Sequence, residues 1–341
     1  MVIKILCVCH AGEGIGLGHL TRMLVAAKAL RQVIGADVQL LIQGDQVNNN
    51  ELSAFPHRFV GFEESLTANI QSTNLHDGLD VVVFDLHPQK IPLEFEALLD
   101  RLRSSSCRLV AIDGLLRYRP KLDLIFHPSF LFAPPPDLKD GAPIVHGWDC
   151  FLLNIQETPR DWRAGPKVLV LTGGCDATRL GDSWPDLLNQ SLPSDAELHW
   201  VTGPFAAKPN WPISPRIQMI EHVAPTGLGP LMQQANYAVT VFGVSFFELM
   251  YLGIPTVVFS PYSGKDAAEM GAIEASGVAL VAADEREATD RLIELLSHDD
   301  LAQQLSARAR TALNKPGAQR LCSEIAAFNT DLMTLCSNPS S

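Results

Sequence analysis

Lys167-Val168-Leu169-Val170-Leu171-Thr172-Gly173-Gly174-Cys175-Asp176 is the stretch that decides the fold. A short, wholly apolar run ends in paired glycines and opens a helical pattern. The chain begins the same way, with Met1-Val2-Ile3-Lys4-Ile5-Leu6-Cys7-Val8-Cys9 leading into Ala11-Gly12-Glu13-Gly14-Ile15-Gly16-Leu17-Gly18-His19-Leu20-Thr21-Arg22. Runs that are apolar throughout, rather than alternating, belong to strands buried on both faces of a parallel sheet. The cycle starts twice, which predicts two doubly wound, Rossmann-like α/β domains.

Working outward from residue 167, the pattern of short apolar runs and longer helical stretches continues in both directions. Upstream it predicts strands near 2–9, 37–42, 80–85, 108–113 and 123–127, with helices near 19–34 and 92–104. Downstream it predicts strands near 197–202, 217–220, 237–241, 255–259 and 278–281, with helices after most of them. Phe132-Ala133-Pro134-Pro135-Pro136-Asp137 can continue neither a helix nor a central strand. A second loose region from Thr158-Pro159 to Gly165-Pro166 places the boundary near 155–166. The expected organisation is an N-terminal domain over 1–160, a C-terminal domain over 161–317, and a last segment over 318–341. In that segment a helix near 318–335 returns to the first domain and the tail Ser337–Ser341 frays. A length of 341 residues suits two cores of about 150 residues each.

Composition narrows the function. With 47% hydrophobic and 19% charged residues the chain is globular. A net charge of −12, with no Lys/Arg stripe, repels a phosphate backbone and excludes nucleic acid as a partner. An anionic ligand must then be held locally, by helix N-termini or backbone amides. No apolar run is long enough to span a bilayer, so no integral membrane segment is expected. The cysteines stand at 7, 9, 107, 150, 175, 322 and 336, odd in number and scattered, which points to a reducing, cytoplasmic location. Cys7 and Cys9 share one strand face, yet no second Cys/His pair follows at zinc spacing, so no metal is expected.

In the first domain the entry loop holds Gly12, Gly14, Gly16 and Gly18, which is not the G-x-G-x-x-G order of a dinucleotide fingerprint. Asp45 is the nearest acid after the second strand. What stands out is Gly18-His19-x-x-Arg22, an imidazole in the first helical turn and a guanidinium one turn on. A helix N-terminus favours the neutral, base-competent imidazole. On this segment alone, His19 serves equally well as a cap with Arg22 in a surface ion pair. Val81-Val82-Val83-Phe84-Asp85 and Leu109-Val110-Ala111-Ile112-Asp113 both end an apolar run in aspartate, which puts Asp85 and Asp113 at the ligand-binding edge of a parallel sheet, where Asp is also a common turn former. His10 and His87 are secondary candidates.

In the second domain Gly173 and Gly174 either cradle a diphosphate or turn the chain. A richer signal follows at Tyr237-Ala238-Val239-Thr240-Val241-Phe242-Gly243-Val244-Ser245-Phe246-Phe247-Glu248-Leu249-Met250-Tyr251-Leu252-Gly253-Ile254-Pro255. It reads as strand, glycine turn, short helix stopped by Gly253, and a Pro-led strand. Gly243, Val244 and Ser245 would face a phosphate at the helix N-terminus, and Glu248, one turn in, could accept from both ribose hydroxyls.

These residues together resemble the PseG-type UDP-sugar hydrolases of pseudaminic acid biosynthesis, with their spore-coat polysaccharide relatives and, more distantly, MurG-like glycosyltransferases. The likeness rests on Gly16-x-Gly18-His19-x-x-Arg22, the strand ending at Asp85, Val110-Ala111-Ile112-Asp113, Leu171-Thr172-Gly173-Gly174-Cys175-Asp176, and Leu231-Met232-x-x-Ala235-Asn236 leading through Gly243 and Glu248 to Leu252-Gly253-Ile254-Pro255. It implies a GT-B fold, two Rossmann-like domains facing a cleft, with UDP on the second and the sugar facing the first. It further implies that His19 activates water at the anomeric carbon, that Glu248 binds ribose, and that neither metal nor other cofactor is needed. The chain departs from the group in two places. Ser260-Pro261-Tyr262-Ser263-Gly264-Lys265-Asp266 stands where an Asn-Gln pair is usual, and Gly243-Val244-Ser245-Phe246-Phe247 replaces a run of small residues. Lys265 offers an alternative phosphate contact.

Three functions follow as expectations. The first is hydrolysis of a UDP-sugar by water that His19 deprotonates and an aspartate of the 85/113 pair orients. The second is transfer of the sugar to an acceptor hydroxyl in glycan or polysaccharide synthesis. The third is a silent sugar-nucleotide binder.

Overall fold

The computed structural model describes residues 2–12, 14–73, 78–262 and 264–336; the expected frayed tail, Glu13 and Ser263 lie outside the described residues. The chain forms two units, 1–153 with 316–341, and 154–315.

The first unit contains β1 (Lys4–Ala11), α1 (Gly18–Ile34), β2 (Asp37–Gly44), β3 (His57–Val60), α2 (Leu66–Gln71), β4 (Val81–Asp85), α3 (Phe95–Ser104), β5 (Arg108–Ile112), β6 (Leu124–His127) and β7 (Ile144–His146). All strand pairings are parallel, in the order β3-β2-β1-β4-β5-β6-β7. The alternation of a strand splits β1 between two cores. Ile5, Cys7 and Cys9 join the cluster with α1, while Leu6 and Val8 join the one with α2 and α3. β3 and β7 go beyond the strands expected from the sequence. Both are edge strands with polar or exposed positions, His57, Arg58 and His146 among them, and so lack the continuous apolar run that marks a central strand.

The second unit contains β8 (Lys167–Leu171), α4 (Trp184–Ser191), β9 (Glu197–Thr202), β10 (Gln218–Val223), α5 (Gly229–Gln234), β11 (Tyr237–Val241), α6 (Val244–Leu252), β12 (Thr256–Phe259), α7 (Ala267–Ser276), β13 (Leu280–Ala282), α8 (Glu285–Ser297) and α9 (Asp299–Ala312). Its sheet repeats the layout, β10-β9-β8-β11-β12-β13, again all parallel. Val168 and Val170 pack toward Trp184 and Trp200, and Leu169 and Leu171 pack toward Leu249 and Leu252. Gly253 ends α6 in the left-handed region, and its carbonyl accepts from Ser306 Oγ of α9 at 2.6 Å.

The last helix, α10 (Ala318–Cys336), belongs to the first unit. Leu321, Cys322 and Ile325 are buried in the same cluster as α1 and β1. Each buried aliphatic chain contributes about 1.5–3 kcal/mol.

In both sheets the order reverses beside the first strand of the unit, between β1 and β4 and between β8 and β11. Ligands of open parallel sheets bind outside the strands' carboxyl ends at such a reversal.

Candidate functional site

In the first unit the reversal is occupied by ionisable side chains. The glycine loop leaves β1 and folds back on itself, with Gly16 N–H donating to the Gly12 carbonyl at 2.8 Å. Gly16 has φ +81°, a conformation that costs a residue with a Cβ about 1–2 kcal/mol. α1 then starts at Gly18 with no side-chain cap, so His19 sits in its open first turn.

His19 Nδ1 lies 2.6 Å from Asp85 Oδ1. Arg22 donates to the same carboxylate through Nε, 3.0 Å from Oδ2, and through Nη2, 2.8 Å from Oδ1. Its Nη1 reaches Asp113 Oδ2 at 2.9 Å. Asp85 is wholly buried and the Arg22 side chain only 14% exposed, so this is an interior network and not the surface ion pair that the local sequence also allowed. Burial by itself raises the Asp85 carboxyl. The Arg22 charge and the hydrogen bond from His19 outweigh it and hold Asp85 below the ordinary carboxylate range. Burial likewise lowers the guanidinium, and Asp85 and Asp113 together outweigh that and raise it.

An ionised carboxylate only accepts, so His19 Nδ1 carries a proton and donates it to Asp85. The Arg22 Nη2 approach to Nδ1 at 3.1 Å sets two donors beside one acceptor oxygen. With Nδ1 protonated, the lone pair of a neutral ring resides on Nε2, the arrangement of an oriented general base. The His87 ring packs edge-on to His19 with centroids 5.9 Å apart.

His10 lies near the end of β1. It is wholly buried, and its Nδ1 accepts from the His87 N–H at 3.0 Å, which ties the loop after β4 to β1. Burial first, and the neighbouring His19 second, push it down to about 4, so it is neutral. Asp45 packs against Gly12.

Asp113 adopts φ +68°, in the left-handed region that Asp tolerates better than most residues. His127, at the end of β6, places Nδ1 3.2 Å from the Asp113 carbonyl oxygen and 3.5 Å from Oδ1. Sequence reasoning did not single out His127. The signal was present, since Leu124-Ile125-Phe126-His127 is an apolar run ending in a polar residue, like those ending at Asp85 and Asp113.

In the second unit Gly173 has φ +88°, and the turn is braced from the loop after β9, where Phe205 N–H donates to the Gly174 carbonyl at 2.9 Å. A Cβ on Gly203 would overlap the carbonyl oxygens of Gly173 and Gly174, whereas one on Gly174 would meet nothing within 4 Å. α6 starts after Gly243 with no side-chain cap, and Val244 and Ser245 form its first turn. Glu248 is 5% exposed and its Oε1 accepts from the Asn154 N–H at 3.1 Å. Burial pushes it up to about 7; Asn154 opposes this and Glu157 adds to it. Lys265 Nζ lies 5.1 Å over the Tyr262 ring, and Asp266 accepts from Ser260 Oγ at 2.5 Å.

Burial pushes the Cys7 thiol up to about 12. Among the described residues no group of three or more His, Cys, Asp and Glu could hold a metal ion. No helix among them is long and apolar enough to cross a membrane.

No family model matches the chain, and no curated protein matches it in sequence. Solved structures do match over nearly its whole length. Phytolacca americana UGT2, complexed with UDP-2fluoro-glucose and pterostilbene, superposes with a TM-score of 0.63 at 13% identity, over 96% of this chain and 99% of that one. MurG of Acinetobacter baumannii gives a TM-score of 0.62 at 14% identity over 95% and 99%. The glycosyltransferase SnogD from Streptomyces nogalater gives 0.61 at 14% over 96% and 100%. At such identities the likeness is one of fold, and the fold of this chain is GT-B.

Proposed function

We propose that the protein is a glycosyltransferase that moves a sugar from a UDP-sugar to an acceptor hydroxyl, with His19 as its base. The observation that carries this is the His19–Asp85 pair at the sheet reversal of the first unit, which leaves Nε2 as the basic nitrogen. In the reaction the acceptor oxygen forms a bond to the anomeric carbon. The bond from that carbon to the diphosphate breaks, UDP leaves with the electron pair, and His19 Nε2 takes the acceptor's proton. Asp85 then stabilises the imidazolium without itself being protonated. Gly173, Gly174, Gly243, Val244 and Ser245 offer backbone and hydroxyl groups to the diphosphate, and Glu248 takes the ribose. Helix N-termini supply the positive potential that the acidic chain lacks in bulk.

Of the proteins of the same fold, SnogD is named a glycosyltransferase and UGT2 is complexed with UDP-2fluoro-glucose, which supports transfer. Hydrolysis is the second reading, favoured by the likeness of Gly16-x-Gly18-His19-x-x-Arg22 to the hydrolase group, and it uses the same base on water. Incubating the protein with a panel of UDP-, GDP-, CDP- and dTDP-sugars, with and without acceptors, tests both. Acceptor-dependent UDP release lost in His19→Gln supports transfer. Free sugar formed at the same rate without acceptor replaces it with hydrolysis.

A further inference from the structure

The carboxyl edge of the first sheet continues past the His19 network, and its far end has a character of its own. Asp113 follows β5, β6 and β7 end in His127 and His146, and the loop after β6 lays Phe132 beside the two histidines. The Phe132 ring centroid is 5.2 Å from that of His127, edge-on, and 5.3 Å from that of His146. The loop is pinned by Gly147 N–H donating to the Ser129 carbonyl at 2.8 Å and by Ser129 Oγ donating to the Leu131 carbonyl at 2.6 Å. Phe132 is only partly buried. The Asp113 side chain is 40% exposed, although Arg22 holds its Oδ2. His127 turns its Nδ1 toward Asp113, where both nearby oxygens are acceptors, so Nδ1 carries the proton and Nε2 is the accepting nitrogen.

We infer that Asp113, His127 and Phe132 form a subsite for a pyranose ring, so that the acceptor is a carbohydrate. The inference rests on the transferase reading above and names its substrate class. A pyranose has an apolar face of axial C–H bonds and a rim of hydroxyls. The face packs on the phenyl ring, and the rim donates to the Asp113 carboxylate and to His127 Nε2. An acyl chain would cover Phe132 equally well but would strip water from the carboxylate and imidazole without replacing their hydrogen bonds, and a planar phenol brings a single O–H to two acceptors, where a pyranose rim serves both. Arg22 bridges Asp113 to Asp85, and so joins this subsite to the base that deprotonates the acceptor hydroxyl.

Saturation-transfer NMR on the full-length protein with methyl glycopyranosides, and separately with the planar phenol umbelliferone, tests the subsite without any turnover. The same glycosides are then added to a UDP-sugar reaction. The expected result is transfer to pyranose ring C–H protons, weakened at least about fivefold in Phe132→Ala and in Asp113→Asn. Asn tolerates the left-handed backbone at 113, so that variant keeps its fold and remains informative if Phe132→Ala does not. In turnover, acceptor KM should rise about tenfold or more in both variants, with a smaller change in kcat. Binding of umbelliferone alone overturns the inference and leaves transfer standing. Pyranoside binding lost in the variants, with no acceptor-dependent UDP release, supports the subsite and overturns the transferase reading. Absence of both signals overturns both.

Discussion

Asp85 Oδ1, wholly buried at the end of β4, lies 2.6 Å from His19 Nδ1. Because the carboxylate fixes which ring nitrogen carries the proton, Asp85→Asn should act on rate rather than on affinity. A carboxamide can present its N–H to Nδ1 and stabilise the other tautomer, which moves the lone pair away from Nε2. The expected loss is about 10²–10⁴ in kcat, close to that of His19→Gln, with donor KM changed less than about threefold. Steady-state kinetics on both variants check it; a loss confined to KM would remove His19 from the chemistry.

Arg22 is the structural counterpart of that carboxylate. Arg22→Ala leaves Asp85 buried without its counter-charge and should destabilise the first unit by about 3–5 kcal/mol in urea unfolding. Asp85→Asn in the same chain should restore part of that loss. The depressed Asp85 carboxyl gives a pH signature with a definite sign. Its stabilising contribution is complete above its unfolded value of 3.8 and is lost as pH falls through the lower folded value, so wild type should fade on acidification faster than Asp85→Asn.

His10 and Glu248 should shape stability in opposite directions. His10 is a base pushed down from 6.5 to about 4, so the unfolded chain binds the extra proton first and stability drains as pH falls from 6.5 to 4. Glu248 is an acid pushed up from 4.5 to about 7, so the folded chain holds its proton longer and stability drains as pH rises from 4.5 to 7. Each window is worth up to about 3 kcal/mol. Urea titrations of His10→Gln and Glu248→Gln across pH 4 to 8 should show each variant losing its own slope and keeping the other's.

Gly174 and Gly203 separate folding from binding. Gly203→Ala drives a methyl into two carbonyl oxygens and should cost about 2–4 kcal/mol. Gly174→Ala meets nothing within 4 Å and should change stability by less than about 0.5 kcal/mol, yet it puts a methyl where backbone is proposed to approach the diphosphate. UDP should therefore raise the melting temperature of wild type and raise that of Gly174→Ala much less. Equal protection would move the diphosphate away from this turn.

How much of this could be read from the sequence depends on where the information lies along the chain. Strands such as Val81–Asp85 and Lys167–Leu171 are apolar on both faces and bounded by turn residues, so each announces itself locally. β3 carries His57 and Arg58 on an exposed edge and α2 spans six residues, too little for a period to show. The aspartates at strand ends were legible because a parallel sheet gathers its carboxyl ends at one edge. The bidentate hold of Arg22 on Asp85 was not legible, since it spans 63 positions and depends on β1 lying next to β4. His127 needed the same strand-end rule applied once more. Asn154 was hidden differently: it serves Glu248 through its backbone N–H, a group every residue but proline possesses.

The return of α10 to the first unit has a consequence for biogenesis. Leu321, Cys322 and Ile325 complete the hydrophobic cluster that β1 and α1 begin, yet the ribosome makes them after the whole of 154–315. At ordinary elongation speeds that gap is on the order of ten seconds or more. The second unit is contiguous and can close as it emerges, while the first must wait with an apolar face uncovered. Nascent chains stalled before residue 316 should therefore be chaperone clients through their N-terminal half.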